Sequence, residues 1–169
     1  MIMTTRMYQR SLSILFLAFL GGSTFITAFS GLYVFFNEPL GDVSYEVKQL
    51  IAAGIPILMV LAILLTRFVY ISRIKALSAF DNRREKFTGY RSAMLVSCAM
   101  TEGAIFLSAG AYYFTGDIFC LGSAIAGILS LLFLRPAMAK LPDWLQLSDE
   151  ERMLLQDPDA ALYKESIPE

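Results

Sequence analysis

From Leu12 to Phe36 the chain carries no charged side chain, and three further apolar runs follow, Gln49 to Thr66, Ser92 to Phe114 and Ile118 to Leu134. At about 1.5 Å per helical residue, runs of this length match a hydrocarbon layer roughly 30 Å thick, the last of them at the short end. In lipid every backbone N–H and C=O must be satisfied internally, which leaves helices or a closed barrel. The runs are continuous and lack the in-out alternation of barrel strands. The expected fold is therefore an all-α membrane protein: four transmembrane helices as two hairpins, plus a short amphipathic C-terminal helix. Residues 1–140 form the expected transmembrane domain and 141–169 an acidic tail.

Arg6 and Arg10 before the first run, and Ala28-Phe29-Ser30 within it, have the look of a signal peptide and its cleavage site. The apolar run continues past that site to Phe36, so it reads as a retained span. In the second run Pro56 follows the small residues Ala52, Ala53 and Gly54 and is expected to kink the helix, because proline lacks the donor its turn needs. The third and fourth runs are joined only by Thr115-Gly116-Asp117, where glycine supplies the positive φ of a tight turn.

Basic residues set the orientation. Of the 14 Lys and Arg, all but Lys48 fall before the first run, between the second and third, or after the fourth. The loops on the other side hold Glu38, Asp42, Glu46 and Asp117. The positive-inside rule places both termini and the central segment in the cytoplasm. A multi-pass protein of a bacterial inner membrane is the expectation.

The chain contains no histidine, which removes the usual haem and zinc ligands and imidazole general bases. Cys98 and Cys120 would lie about 15–20 Å apart in depth, too far for a disulfide, and read as small packing residues. No phosphate-binding glycine loop, dinucleotide fingerprint or nucleophile elbow is present. No basic stretch is interleaved with aromatics as a single-strand nucleic-acid binder requires. The expectation is no enzyme, no cofactor, no metal and no nucleic acid.

Glu102 is the one charged side chain inside a span. It lies 11 residues beyond Arg91, about 16 Å deep and near mid-membrane. An ionised carboxylate is costly there, which favours the protonated acid and makes Glu102 the candidate intramembrane site. Its expected hydrogen-bond partners are Ser23, Thr24, Thr27 and Ser123 on neighbouring helices, with Tyr113 farther out on its own face. A carrier would use Glu102 to couple proton or cation movement to a substrate. A structural role would make it a neutral acid joining helices, or one bonded to a partner subunit.

Helices in lipid associate through small residues and interhelical hydrogen bonds. The expected contact stripes are Ser23, Thr27 and Gly31; Ala99, Gly103 and Gly110; and Gly122, Ala126 and Ser130, with Ser123 and Gly127 alongside. They are expected to meet in a compact four-helix bundle, and a homo-oligomer or membrane-complex partner is open to any of them. The aromatics at the run ends form an interfacial belt.

The segment from Arg67 to Arg91 carries a net charge of +5 and is expected to contact anionic lipid headgroups. Its first part, to about Phe80, continues the second helix, and Asp81-Asn82 breaks it. From Asp143 onward the tail carries a net charge of −6. Ser148 and Glu151 have the spacing of a capping box, which predicts a short helix to about Leu155. Such a helix either docks on the basic segment or stays solvated.

Small multidrug transporters and rotary-ring proteolipids also bury one acid, but in different helices and topologies. Tyr90-Arg91, Glu102-Gly103, Tyr113-Phe114-Thr115-Gly116, Arg135-Pro136 and Leu147-Ser148 with Glu150-Glu151 make the C-terminal half resemble a set of four-span proteins of bacterial inner membranes. The resemblance implies the four-span fold and brings no activity with it. Two readings follow: a structural or accessory component of the membrane or a membrane complex, or a small transporter using Glu102.

Overall fold

The computed structural model describes residues 2–80, 82–136 and 141–164. Its helices are α1 (Thr5–Phe36), α2 (Tyr45–Leu77), α3 (Arg83–Thr115), α4 (Ile118–Phe133), α5 (Leu141–Trp144) and α6 (Asp149–Gln156), with two short strands, β1 (Ile2–Thr4) and β2 (Ala161–Lys164). By length and composition α1, α2 and α3 are able to cross a membrane; α4 is apolar but shorter. The chain is an integral, multi-pass membrane protein.

The three long helices outrun the apolar stretches that announce them. α3 begins at Arg83, not near Ser92, so most of the central basic segment is helical. Asn82 explains the early start: its Oδ1 accepts from Arg84 N at 3.0 Å and its carbonyl from Lys86 N at 3.1 Å. Those bonds satisfy donors that a helix N-terminus leaves open. α2 ends at Leu77, after which Ala79 N and Phe80 N bond back to Ala76 and Leu77. Pro56 is accommodated inside α2, which continues on both sides of it.

The chain divides into two compact units, neither of them one stretch of sequence. The first comprises residues 1–16, 68–96 and 136–169. Its core contains Tyr8, Leu12, Phe87, Tyr90, Met94, Leu141 and Leu145, all fully buried. The Tyr8 hydroxyl donates to the Phe87 carbonyl at 2.8 Å, and the two rings meet edge to face at 5.3 Å. Trp144 meets Tyr70 edge-on.

The tail is more than the short helix expected of it. β2 pairs antiparallel with β1, so the two ends of the chain are hydrogen-bonded to each other. Just past that pairing, Thr5 N donates to the Ala160 carbonyl at 3.1 Å and Arg6 N to the Pro158 carbonyl at 2.9 Å. The Thr5 hydroxyl donates to the Leu154 carbonyl at 2.9 Å. The first turn of α1 thus finds acceptors for its free N–H groups in the tail, a tertiary substitute for a capping side chain.

The second unit comprises residues 17–67 and 97–135. The loop after α1 returns over the end of α3, where Leu40 N and Gly41 N donate to the carbonyls of Tyr113 and Phe114. This covers carbonyls that the last helical turn cannot satisfy. Gly116 follows with φ +68°, and Asp117 caps α4 by accepting from Phe119 N at 2.9 Å. Cys98 and Cys120 are free thiols and buried.

Candidate functional site

Glu102 sits at the middle of the third apolar run, on α3, within the second unit. Its neighbour on α1 is Gly22: a β-carbon built there would lie 2.9 Å from the carboxylate Oε1. The neighbour of Gly22 is thus the mobile end of the glutamate side chain, not backbone. Tyr33 and Tyr113 meet farther along the same two helices, ring centroids 4.5 Å apart, with Phe29 stacked on Tyr113 at 6.2 Å. Residue 102 minus 22 and residue 113 minus 33 both give 80, so α1 and α3 run parallel with one constant offset.

None of the hydroxyls expected around Glu102 is bonded to it. Ser123 donates to the Phe119 carbonyl of its own helix at 2.7 Å. Thr24 is exposed, and Tyr113 packs its ring against Tyr33. Ser23 Oγ and Thr27 Oγ1 are buried and have no hydrogen-bond partner at all. Of the five expected partners, none supplies Glu102 with a hydrogen. The carboxylate is half-buried, with one side against Gly22.

The small-residue stripes divide between inward and outward faces. Ser23 and Thr27 on α1 and Ser123 and Gly127 on α4 are buried. Gly127 is held tightly, since a β-carbon there would come within 2.5 Å of Ile105 Cγ1 and 2.9 Å of Met59 Cε. Ala99 and Gly103 on α3 and Gly122 and Ala126 on α4 face outward instead. The expectation that these stripes meet inside the bundle is corrected on that point. The inward side of α3 is Ser97, Cys98, Thr101, Ile105, Ser108 and Ala109. Its hydroxyls mostly bond within the helix: Thr101 donates to the Ser97 carbonyl at 3.1 Å, standing 3.5 Å from the Thr66 hydroxyl of α2, and Ser108 donates to Ala104. Periodicity does not separate the two faces, because the buried positions and the small-residue stripe both repeat at three and four residues.

Beside the outward stripe lies a groove of about 320 Å³ between α2 and α3. Ile55, Leu58, Met59 and Ala62 line one wall, and Met100, Gly103, Ala104, Leu107 and Ser108 the other. The groove is apolar, its one hydroxyl already committed to Ala104.

A second polar cluster, in the first unit, was not singled out as a site from the sequence. Glu151 is buried; its Oε1 lies 3.5 Å from Arg83 Nε and its Oε2 3.8 Å from Lys86 Nζ. The same carboxylate accepts from Ser148 N at 3.0 Å while Ser148 Oγ accepts from Glu151 N, the reciprocal pair of a capping box. One acid therefore starts α6 and docks it on the first turn of α3.

Comparison with protein-family models, with curated proteins and with solved structures finds no match.

Proposed function

We propose that the protein crosses a bacterial inner membrane four times, α4 serving as the fourth span, and acts as a structural or accessory component of that membrane or of a complex within it. The pairing of β1 with β2 supports an even number of crossings, because hydrogen-bonded chain ends lie on one side of a bilayer. The distribution of Lys and Arg makes that side the cytoplasm. Sixteen helical residues span about 24 Å, so α4 requires a locally thinned bilayer or its flanking residues.

The observation that carries the accessory reading is the state of Glu102: a mid-span acid, half-buried, that receives no hydrogen bond from the side chains expected to supply one. Intramembrane acids generally pair with something. The groove between α2 and α3 offers no polar path: apart from Ser108, whose hydroxyl is bonded to Ala104, its lining is aliphatic, methionine and glycine. Both features fit recognition in the membrane plane better than passage across it.

The carrier reading keeps one observation in its favour, the unbonded hydroxyls of Ser23 and Thr27 next to and one turn beyond Gly22. Reconstitution separates the two. In liposomes holding this protein alone, with a pH gradient imposed, no proton-coupled flux is expected, and Glu102→Gln leaves the baseline unchanged. A flux that the wild-type chain supports and Glu102→Gln abolishes would sink the accessory reading.

A further inference from the structure

We infer that the outward face of α3 at Ala99, Glu102, Gly103 and Phe106 is a docking surface for a transmembrane helix of another protein, one that presents a Lys or Arg at mid-membrane. The inference rests on the accessory reading and names the partner's chemistry.

At 100° per residue, Ala99, Gly103, Phe106 and Gly110 fall on one narrow arc of α3, and Glu102 on its edge toward α1. The arc lies opposite the buried side formed by Ser97, Thr101 and Ser108. On α2 the exposed positions include Ile57, Leu58, Val60, Leu61, Leu64 and Leu65, large aliphatic side chains that suit acyl tails. α3 is less apolar than α1 or α2; beside its exposed Leu95, Phe106 and Leu107 it presents the small residues Ala99 and Gly103 and the half-buried Glu102.

The protein's own packing does not require those small residues. A β-carbon added at Gly103 or Gly110 meets nothing within 4 Å. Gly22, by contrast, lies against the end of the Glu102 side chain. Small residues that no internal neighbour demands, flanking an acid that receives no hydrogen bond among the described residues, form the surface a second helix needs: close backbone approach plus one polar bond.

Charge complementarity decides the occupant. The four spans hold no Lys or Arg, so a second copy of this chain brings no cation to Glu102 at that depth. A helix with a basic side chain does, and an intramembrane acid paired with an intramembrane base removes the isolated charge for both.

The test uses the full-length protein in phosphatidylcholine liposomes with two labelled synthetic helices of about 23 residues. Both are oligo-leucine, one with a central lysine and one without, and association is read by energy transfer. The lysine helix is expected to associate about tenfold more tightly than its leucine counterpart, the size of one interhelical polar bond. Glu102→Gln removes that preference. Gly103→Leu weakens the lysine helix's association while leaving the carboxylate in place, which separates a docking surface from bare charge attraction. Equal association of the two helices, a preference that survives Glu102→Gln, or energy transfer only between copies of this protein would each overturn the inference. These failures are distinct from failure of the accessory reading, which shows as proton-coupled flux with no helix added.

Discussion

Glu151 and Lys86 meet with Oε2 and Nζ 3.8 Å apart, and only 9% of either side chain remains accessible. Arg83 approaches the other oxygen of the same carboxylate, so one buried acid faces two cations from the first turn of α3. Replacing a buried pair with apolar residues is often harmless, but removing one partner strands the charges left behind. Glu151→Ala is therefore expected to destabilise the first unit by about 3 kcal/mol, the low end for a broken buried pair because Arg83 keeps some solvent. Thermal unfolding in detergent measures it. A change within about 0.5 kcal/mol, typical of a surface substitution, would show that the cluster is not what docks α6.

Ser148→Ala probes the same helix without touching the ion pairs. Ser148 Oγ accepts from Glu151 N at 3.3 Å, and losing an N-cap of this kind costs about 1 kcal/mol. The loss is local. Amides at the start of α6 should exchange faster while those of α3 keep their protection, and uniform loss across both helices would contradict the capping account.

Cutting the chain after Gln156 removes the carbonyls of Pro158 and Ala160 that accept from Arg6 N and Thr5 N. Hydrogen exchange at Thr5 and Arg6 is expected to rise toward the rate of an open helix terminus. Residues deeper in α1, such as Leu12 and Phe16, should be little affected. Unchanged protection at Thr5 and Arg6 in the truncated chain would mean that the tail does not cap the helix in the membrane-embedded protein.

Tyr8→Phe keeps the edge-to-face contact with Phe87 but deletes the hydroxyl that donates to the Phe87 carbonyl at 2.8 Å. Leaving that buried acceptor without this donor is expected to cost about 1–2 kcal/mol in unfolding free energy, measured by denaturant titration in mixed micelles. A neutral result would place water at the carbonyl.

Two glycines of α4 make a matched pair. Gly127→Ala forces a methyl against Ile105 and Met59 and is expected to destabilise by about 1–3 kcal/mol. Gly122→Ala meets nothing within 4 Å and should be neutral or slightly stabilising, since alanine is the better helix former. Equal effects at the two positions would show that α4 presents a different face from the one described.

The sequence by itself determined that this is a helical membrane protein, because uncharged runs such as Leu12 to Phe36 leave lipid as the only compatible solvent and a helix as the local solution for their backbones. It also determined local chemistry: the glycine turn at Gly116 and the Ser148–Glu151 spacing need only neighbours a few residues away. The ends of α1 and α3 were less legible, since once a helix leaves the apolar layer its length depends on a cap such as Asn82 or on acceptors from the far end of the chain, as at Thr5 and Arg6.

Which face of α3 turns inward, and hence whether Glu102 finds its donors, was decided only by tertiary packing. Gly, Ala and Ser suit a helix interface on either side of a bundle, so composition cannot choose between them, and the choice falls to fits such as that of Gly127 against Ile105 and Met59. The same holds for Glu151. A string of acids reads as a solvated tail until folding brings one of them under two cations more than 60 residues away, a pairing whose energy exists only when the distance has closed.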